Sequence, residues 1–335
     1  MSISRREFLF RTLLSALVYR VSARSYAQTP CCRRFVPLKP VRIVVGASAG
    51  SIIDTIARLV ASLLSALWQQ PVITENRPGA QGLVAAEQVG KSMPDGYTLL
   101  FSSNETLVQA SVIRPKYAVD LRKDVVPVSL VARAPLALVV PTNSRIRSTQ
   151  DLIAEARANP GMLKFATASQ FDSTRFATEL LQQSANLKVT VVPYKGTGPA
   201  LAGLVGGQVN SAFLSLSVAD AAATDNKLRI IGITTPSIVP GARDYPVLSQ
   251  QGLPDLNVEQ WLGLLAPGGT SAKIIDDISH DVKLVLDHVP KEVTDTFARL
   301  KFARSALPAK DFTALLFRDS KRWASVVRTV GIKAD

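Results

Sequence analysis

The feature that most constrains the fold is the alternation of short apolar runs with longer amphipathic stretches, from Val41 onward. Residues 41–45 form an apolar run broken by one arginine, and apolar residues then recur every three or four positions between Ile52 and Leu67. This spacing is typical of a buried strand followed by a helix that covers it. Because strands separated by helices pair in parallel and carry helices on both faces, the chain is predicted to be an α/β protein.

The same alternation continues to the end of the chain. It predicts strands at residues 41–45, 71–74, 97–101, 164–168, 189–192, 211–216, 229–234 and near 261–266, with one or two more within 128–140. It predicts helices at residues 52–67, 83–91, 175–184 and 199–205, one between residues 148 and 161, and four that begin near residues 272, 291, 310 and 320. A chain of 335 residues is long enough for two domains. We therefore expect two α/β lobes with mostly parallel sheets around a central cleft, joined by crossing segments near residues 135 and 236.

The amino-terminal residues have the pattern of an export signal. Arg5 and Arg6 precede a short apolar stretch, and Ser25-Tyr26-Ala27 offers the small residues that a signal peptidase requires. The arginine pair favours a twin-arginine signal at residues 1–27, although a general secretory route and a basic tail on a cytosolic protein stay open as alternatives. Residues 28–37 are expected to be a loose segment. The mature protein is therefore expected in the periplasm.

Composition and charge exclude several classes of protein. The chain has two histidines and two adjacent cysteines, Cys31 and Cys32, which leave little material for a metal site, a disulfide framework or a redox centre. Its net charge of +13 falls to +9 once residues 1–27 are removed. The basic groups near the carboxyl terminus are scattered at helical spacing, whereas nucleic-acid binding usually shows a focused patch. We expect no cofactor, no metal and no nucleic-acid partner.

Four junctions between a predicted strand and the next segment are rich in small and hydroxyl residues. They are residues 46–51, 102–106, 167–174 and 215–217. Ligands of parallel sheets bind outside the carboxyl ends of the strands, and helix starts present unpaired N–H groups that favour negative charge. The four junctions together predict a cleft suited to a small carboxylate. The alternative is that each is an ordinary turn or cap, and Ser102 and Glu105 match a capping box.

A catalytic alternative rests on the first junction. Gly46-Ala47-Ser48-Ala49-Gly50 matches the G-x-S-x-G nucleophile elbow of hydrolases, with His280 or His288 as the only histidines available as a base. The motif follows the first strand of the mature chain, which leaves no earlier strand to supply an oxyanion loop. Both histidines also fall in one amphipathic stretch among charged residues. A hydrolase using Ser48 is therefore the less favoured reading, and we expect no enzyme.

Several segments of the chain resemble the Bug-type receptors of tripartite tricarboxylate transporters, a family of periplasmic solute-binding proteins. The segments are KPVRIVV at residues 39–45, ENRPGA at 75–80, PDGYTLL at 94–100, PVSLV at 127–131, VPYKG at 192–196, GGQV at 206–209 and WLGLLAP at 261–267. Their order and spacing resemble the family from about residue 37 to the end. The resemblance implies a type 2 periplasmic-binding-protein fold, closure of two lobes over a ligand and no catalysis.

The resemblance also implies which residues bind the ligand. The family's first loop, F-x-P-G-G-x-x-D, corresponds to residues 47–54, where Gly50 and Asp54 match, although Asp54 would equally serve as a helix cap. Residues 214–217 depart from the family's D-N-x-P-S and are expected to alter selectivity. The candidate ligand-binding residues are Ser48, Gly50, Ser51, Asp54, Ser102, Ser103, Thr106, Ala168, Ser173, Thr174, Tyr194, Lys195, Ser215 and Ser217.

The functional expectation is a monomeric receptor that captures a small organic carboxylate between lobe I, residues 38–135 plus 236–335, and lobe II, residues 136–235. A mono-, di- or tricarboxylic acid, an aromatic acid or an amino acid would each satisfy these donors. The partner is expected to be the membrane permease subunits of a tripartite transporter. The alternative is a membrane sensor kinase that reads the same solute.

Overall fold

The computed structural model describes residues 34–113, 120, 123–236 and 244–330, and the strands in these residues join into one ten-stranded sheet. The strands are β1 Val41–Val45, β2 Val72–Asn76, β3 Thr98–Ser103, β4 Val125–Pro141, β5 Lys164–Thr167, β6 Thr190–Pro193, β7 Ser211–Ser215, β8 Leu228–Ile233, β9 Glu259–Pro267 and β10 Ala303–Pro308. Their order is β2-β1-β3-β9-β4-β7-β5-β6, and β8 and β10 also pair with β4.

Helices pack on this sheet between the strands. They are α1 Ile52–Trp68, α2 Leu83–Gly90, α3 Thr149–Ala158, α4 Ser173–Ala185, α5 Thr197–Val205, α6 Leu216–Thr224, α7 Ala272–Asp287, α8 Lys291–Arg299 and α9 Ala309–Val330. Shorter helical segments lie at Ala80–Gly82, Glu105–Ala110, Ser111–Ile113 and Leu248–Gln251.

The sheet contains two parallel units joined by antiparallel strands. β1 pairs in parallel with β2 and β3, and β5 pairs in parallel with β6 and β7. The strands that connect these units, β4 and β9, pair antiparallel with their neighbours. This arrangement confirms the predicted α/β class, and the antiparallel connecting strands are a detail that the sequence pattern does not reveal.

Strand β4 links the two units because it changes partners along its length. Its residues up to Pro135 pair with β9, and its residues from Leu136 onward pair with β7. Thr234 returns to the same point, where its backbone N–H donates to the Leu136 carbonyl over 2.9 Å. The lobe bounds given above stay a prediction, which this change of partners supports.

The two faces of the sheet bury separate apolar clusters, as the two-residue period of a strand requires. In β3, Leu99 and Phe101 pack with Ile56 of α1, whereas Leu100 between them packs on the opposite cluster with Leu83 of α2. All are fully buried. Burial of one such side chain stabilises the fold by about 1.5–3 kcal/mol. Both faces of β3 are therefore covered by packed side chains.

Some predictions about local structure were confirmed and others were wrong. The predicted cap at residues 148–151 is a complete capping box, in which Ser148 Oγ accepts from the Asp151 amide over 3.1 Å and Asp151 Oδ2 accepts from the Ser148 amide over 3.0 Å. The capping box at Ser102 and Glu105 is wrong, because pairing with β9 extends strand β3 through Ser103. The two helices predicted from residues 310 and 320 are one continuous helix, Ala309–Val330.

The start of the described chain is held more firmly than expected. The backbone amide of Phe35 donates to Asp277 Oδ2 over 2.7 Å, and its ring makes edge contacts with Trp68 and Tyr97. Phe35, within the segment predicted to be loose, therefore contacts the folded part of the chain. The export signal at residues 1–27, the cleavage point after Ala27 and the cysteine pair lie outside the described residues. Within those residues, no helix combines the length and the apolar character that a bilayer crossing needs.

Candidate functional site

The junctions after β1 and β3 meet through an unusually close backbone approach at Gly82. A β-carbon placed on Gly82 would lie 2.6 Å from Thr106 Oγ1 and 2.9 Å from the Gly46 carbonyl oxygen, so only glycine fits there. Thr106 Oγ1 also donates to the Gln81 carbonyl over 2.8 Å. Thr106 therefore fixes the shape of the site instead of offering a free hydroxyl.

Residues 79–82 adopt a backbone that L-residues rarely accept. All four have positive φ angles, namely 132° for Gly79, 45° for Ala80, 56° for Gln81 and 89° for Gly82. Strained backbone of this kind clusters at ligand sites, where the surrounding contacts hold it in place. The side-chain amide of Gln81 reaches toward the Phe171 carbonyl, 3.4 Å away, in the junction after β5. No motif in the sequence indicates a role for Gln81.

The first loop, residues 46–51, is shaped by the buried carboxylate of Asp54. Asp54 Oδ2 accepts from the Gly50 amide over 2.8 Å and from Arg58 Nε over 3.0 Å, and Oδ1 accepts from Asn76 Nδ2 over 2.8 Å. Burial by itself raises the pKa of Asp54, but hydrogen bonds from Arg58, Gly50 and Asn76 outweigh it and hold the pKa below its ordinary value. Asp54 thus stabilises the backbone of the first loop and the start of α1, in agreement with the alternative role as a helix cap.

The same loop leaves hydrogen-bond donors at the start of α1. Ser51 caps the helix, since its Oγ accepts from the Asp54 amide over 3.2 Å. The amides of Ile52 and Ile53 have no acceptor in the described residues. Gly50 has a φ of +79°, and nothing lies within 4 Å of where its β-carbon would be. The start of α1, with its helix dipole, therefore presents free N–H groups beside open space, an arrangement that suits an anion.

The second junction presents an asparagine that sequence reasoning missed. Asn104 continues the pairing of β3 with β9, because Oδ1 accepts from the Trp261 amide over 3.1 Å and Nδ2 donates to the Glu259 carbonyl over 3.1 Å. Nδ2 also donates to Ser173 Oγ over 3.1 Å. The predicted residues Ser102 and Ser103 are both buried in the strand, and Ser102 Oγ has no partner among the described residues.

The third junction is organised by Asp172, which caps α4. Its Oδ1 accepts from the Arg175 amide over 3.0 Å and from Thr174 Oγ1 over 2.7 Å. Thr174 Oγ1 in turn accepts from the Ala168 amide over 3.0 Å. Ser173 Oγ accepts from Asn104 Nδ2 and, over 3.0 Å, from Gln109 Nε2. Ser173 is thus the predicted residue that joins the two parallel units, while Ala168 and Thr174 hold the turn.

Two carboxyl groups meet at this junction, one from each side of the Asn104–Ser173 hydrogen bond. Burial, together with the negative charge of Asp172, raises the pKa of Glu105 to about 7. Burial likewise raises the pKa of Asp172 to about 6. Gln260 and Ser173 hydrogen-bond to Glu105 and oppose the rise. The sequence shows only an acidic residue shortly after a strand, at a position that also fits a capping box.

The remaining predicted residues lie on the unit formed by β5, β6 and β7. Tyr194 donates from its hydroxyl to Gln208 Oε1 over 3.2 Å and covers Gly203 of α5, so it braces that helix. Lys195 is exposed, and the half-buried Ser215 and Ser217 flank the start of α6. In the described residues no hydrogen bond joins these four side chains to the first loop.

The geometry at Ser48 does not support a nucleophile elbow. Ser48 is exposed, and it is absent from the non-glycine residues with positive φ, whereas the elbow requires a strained nucleophile. His280 and His288 are exposed on and just after α7, and His288 Nδ1 contacts the Leu284 carbonyl over 3.0 Å. Neither histidine bonds to Ser48 among the described residues. These residues also hold no group of three or more His, Cys, Asp or Glu placed for a metal ion.

Comparison with known proteins agrees with this arrangement. The chain is 30% identical over 324 residues to the Protein BugT of Bordetella pertussis. The aligned region covers 96% of this chain and 98% of BugT. Its fold is similar to that of R. palustris Rpa4515 solved with adipate, with a TM-score of 0.73 and 27% identity. The match covers 89% of this chain and 99% of Rpa4515. It is also similar to MatC from Rhodopseudomonas palustris with bound malate, with a TM-score of 0.68 and 29% identity. That match covers 87% of this chain and 99% of MatC.

The match to BugT confirms the resemblance to Bug-type receptors, and the solved relatives confirm the fold class. The model of the tripartite tricarboxylate transporter family receptor matches residues 56–332. That match covers β2 to α9 together with most of α1, and therefore the whole sheet except β1. This chain belongs to the tripartite tricarboxylate transporter receptor family.

Proposed function

We propose that this protein is an extracytoplasmic receptor that captures a small carboxylated molecule between two lobes, for uptake by a tripartite tricarboxylate-type transporter. The observation that carries the proposal is the first loop, where Asp54 fixes the backbone and the amides of Ile52 and Ile53 remain unpaired beside open space. Backbone N–H groups at a helix start are a site for a carboxylate.

The solved relatives support the choice of ligand class. Rpa4515 was solved with adipate and MatC with malate, and both are carboxylates. Charge-assisted hydrogen bonds contribute roughly 1.5–3 kcal/mol each. A micromolar Kd corresponds to about 8 kcal/mol, so a few such bonds suffice once the cost of ordering the ligand is included. The positive charge of the mature chain favours the approach of an anion.

The same proposal assigns the protein to the periplasm and gives it no catalytic role. Residues 1–27 serve as the export signal with cleavage after Ala27, and lobe I and lobe II close over the ligand by rotation about β4 and the segment near residue 236. Family membership supports a receptor. In the described residues no acid–base pair lies beside Ser48 to support hydrolysis. Permease subunits in the membrane would receive the solute.

The experiment is titration calorimetry of the purified protein against a panel of mono-, di- and tricarboxylates, with two matched variants. Ser51→Ala and Ser148→Ala each remove one helix cap, on α1 and α3 respectively, and each is expected to cost about 1 kcal/mol of stability. Only Ser51→Ala should weaken carboxylate binding, by about tenfold. Equal loss in both variants, or no binding by any acid in the panel, contradicts the proposal.

A further inference from the structure

Gln81 lies beside three of the four junctions. Its carbonyl accepts from Thr106 Oγ1 over 2.8 Å, in the junction after β3. Its side-chain Nε2 donates to the Phe171 carbonyl over 3.4 Å, in the junction after β5. The next residue, Gly82, approaches the Gly46 carbonyl of the first loop so closely that a β-carbon does not fit. Gln81 therefore contacts both parallel units of the sheet.

The backbone of Gln81 suits glycine better than glutamine. Its φ of 56° and ψ of 35° lie in the left-handed region, which is unfavourable for a residue with a β-carbon. The nearby positions 79 and 82 also have positive φ, and both are glycine. Side chains that persist on strained backbone cluster at ligand sites. The reason for a glutamine at this position is therefore found in its side chain.

Packing does not supply that reason. Gln81 is exposed, and among the described residues its side chain forms one hydrogen bond, to the Phe171 carbonyl. At 3.4 Å this bond is longer than the usual N–H···O distance of about 2.9–3.0 Å, so it contributes little to the folded state. A side-chain amide has a second N–H as well as an oxygen. Gln81 therefore presents a free donor beside the junctions.

The acceptor of Gln81 is held in a fixed position. The amide of Phe171 donates to Ser169 Oγ over 3.0 Å, and the next residue, Asp172, caps α4. The ring of Phe171 packs against a core cluster. The backbone of Gln81 is held in turn by Thr106. Because both ends of the contact are fixed, the amide of Gln81 is preorganised for an oxygen of a bound solute.

Several other polar side chains at the junctions are already engaged within the protein. Ser51 Oγ accepts from the Asp54 amide, and Ser173 Oγ accepts from the side-chain amides of Asn104 and Gln109. These hydroxyls therefore serve the fold before they serve a ligand. The second N–H of Gln81 has no such partner among the residues that the structure describes.

We propose that Gln81 contacts the bound solute, by donating its second N–H to an oxygen other than those of the carboxylate at the start of α1. This inference rests on the proposed function, which supplies that carboxylate. Gln81 then determines selectivity, because an acid with a second oxygen-bearing group gains a hydrogen bond that a plain fatty acid lacks. The first N–H stays on the Phe171 carbonyl, so the solute is held against both units of the sheet.

The test compares acids of equal length with and without a second oxygen-bearing group. Titration calorimetry of the purified protein uses succinate against butyrate, and adipate against hexanoate. We expect the diacid of at least one pair to bind about tenfold or more tightly than its partner. Gln81→Gly removes the amide and should reduce that preference by about fivefold or more. Its melting temperature should equal or exceed that of the unmodified protein, because glycine suits the backbone.

Gln69→Gly is the matched control. Gln69 is also an exposed glutamine in left-handed backbone, with φ 54° and ψ 30°, but it ends α1. At about 1.5 Å per residue it lies roughly 25 Å from the amide of Ile52. Gln69→Gly should show the same thermal behaviour and keep the preference for the diacid. Gln81→Glu keeps the length of the side chain without an N–H to donate, and should lose the preference as Gln81→Gly does.

The outcomes separate the two proposals. A preference that changes by less than fivefold in Gln81→Gly, or equal affinity for both members of every pair, overturns the role of Gln81 and leaves carboxylate capture intact. A fall in melting temperature that only Gln81→Gly shows also overturns it, because the side chain would then serve the fold. Binding of no acid at all contradicts the proposed function and this inference with it.

Discussion

Asn104 and Ser173 belong to different parallel units of the sheet, and Asn104 Nδ2 lies 3.1 Å from Ser173 Oγ. The same asparagine uses its amide to extend the pairing of β3 with β9. One side chain therefore ties a connecting strand to the start of α4. Any rotation of the two units away from each other must break the bond to Ser173.

Removal of the Ser173 hydroxyl should destabilise the protein. Ser173→Ala leaves the buried amides of Asn104 and Gln109 without their shared acceptor, and each unsatisfied group costs about 1–3 kcal/mol. We expect a loss of about 2 kcal/mol in the free energy of unfolding, measured by urea titration. Thr224→Ala removes an exposed hydroxyl that bonds within α6, and should stay within about 0.5 kcal/mol of the unmodified protein. Equal effects of the two substitutions would show that the bond between Asn104 and Ser173 contributes no more to the free energy of unfolding than an exposed hydroxyl does.

Glycine should be required at Gly82 and not at Gly50. Both residues have positive φ angles, 89° and 79°, so alanine at either position meets a backbone cost of about 1–2 kcal/mol. At Gly82 the added carbon would also crowd Thr106 Oγ1 at 2.6 Å and the Gly46 carbonyl at 2.9 Å, whereas at Gly50 it enters open space. Thermal unfolding should show Gly82→Ala as the more destabilised variant by about 2 kcal/mol. A larger loss in Gly50→Ala contradicts the described backbone approach.

The contribution of Asp54 to stability should disappear in acid. Its pKa in the folded protein lies below the ordinary value of 3.8, so the stabilisation is complete above about pH 4 and is lost as the pH falls through the folded pKa. Asp54→Asn should therefore cost about 2 kcal/mol at pH 7 and progressively less below pH 4. Unfolding free energies of both proteins between pH 2.5 and 7 test this. Asp225→Asn, at an exposed position, is the control, and a pH-independent difference for Asp54→Asn contradicts the assignment.

The acidic pair should have the opposite pH dependence. The pKa values of Glu105 and Asp172 are raised to about 7 and about 6, so the folded state holds protons that the unfolded chain has released. Stability from this source is therefore present near pH 4.5 and declines as the pH rises toward 7.5. In the absence of ligand, Glu105→Gln should be more stable than the unmodified protein at pH 8 and gain less at pH 5. A Glu105→Gln variant that is less stable than the unmodified protein at pH 8 would contradict this assignment of the raised pKa values.

Features set by neighbouring residues in the chain were predicted from the sequence. Strand β1 and helix α1 follow from local periodicity, and the capping box at Ser148 follows from four consecutive residues. Helix α6 was missed because its apolar residues directly follow those of β7 without a break in the pattern. The single helix α9 was read as two, although its apolar residues, Phe312, Leu316 and Trp323 among them, all pack on one core cluster.

Features set by distant contacts were not predicted. Asn104 and Ser173 are 69 residues apart, and only the folded sheet shows that they bond. The same holds for the strained residues 79–82, where the Gln81 carbonyl accepts from Thr106, and for the effect of the Asp172 charge on Glu105. Of the predicted site residues, Ser51 caps α1 and Ser173 bonds across the two parallel units. Asp54 and Tyr194 instead hold the local structure.

The most direct test of carboxylate capture is a crystal structure of the protein with the tightest-binding acid from the calorimetric panel. We expect one carboxylate oxygen within about 3 Å of the backbone nitrogen of Ile52 or Ile53, beside Gly50 and the hydroxyl of Ser51. A carboxylate bound elsewhere on the protein, with the amides at the start of α1 still unpaired, would contradict the account.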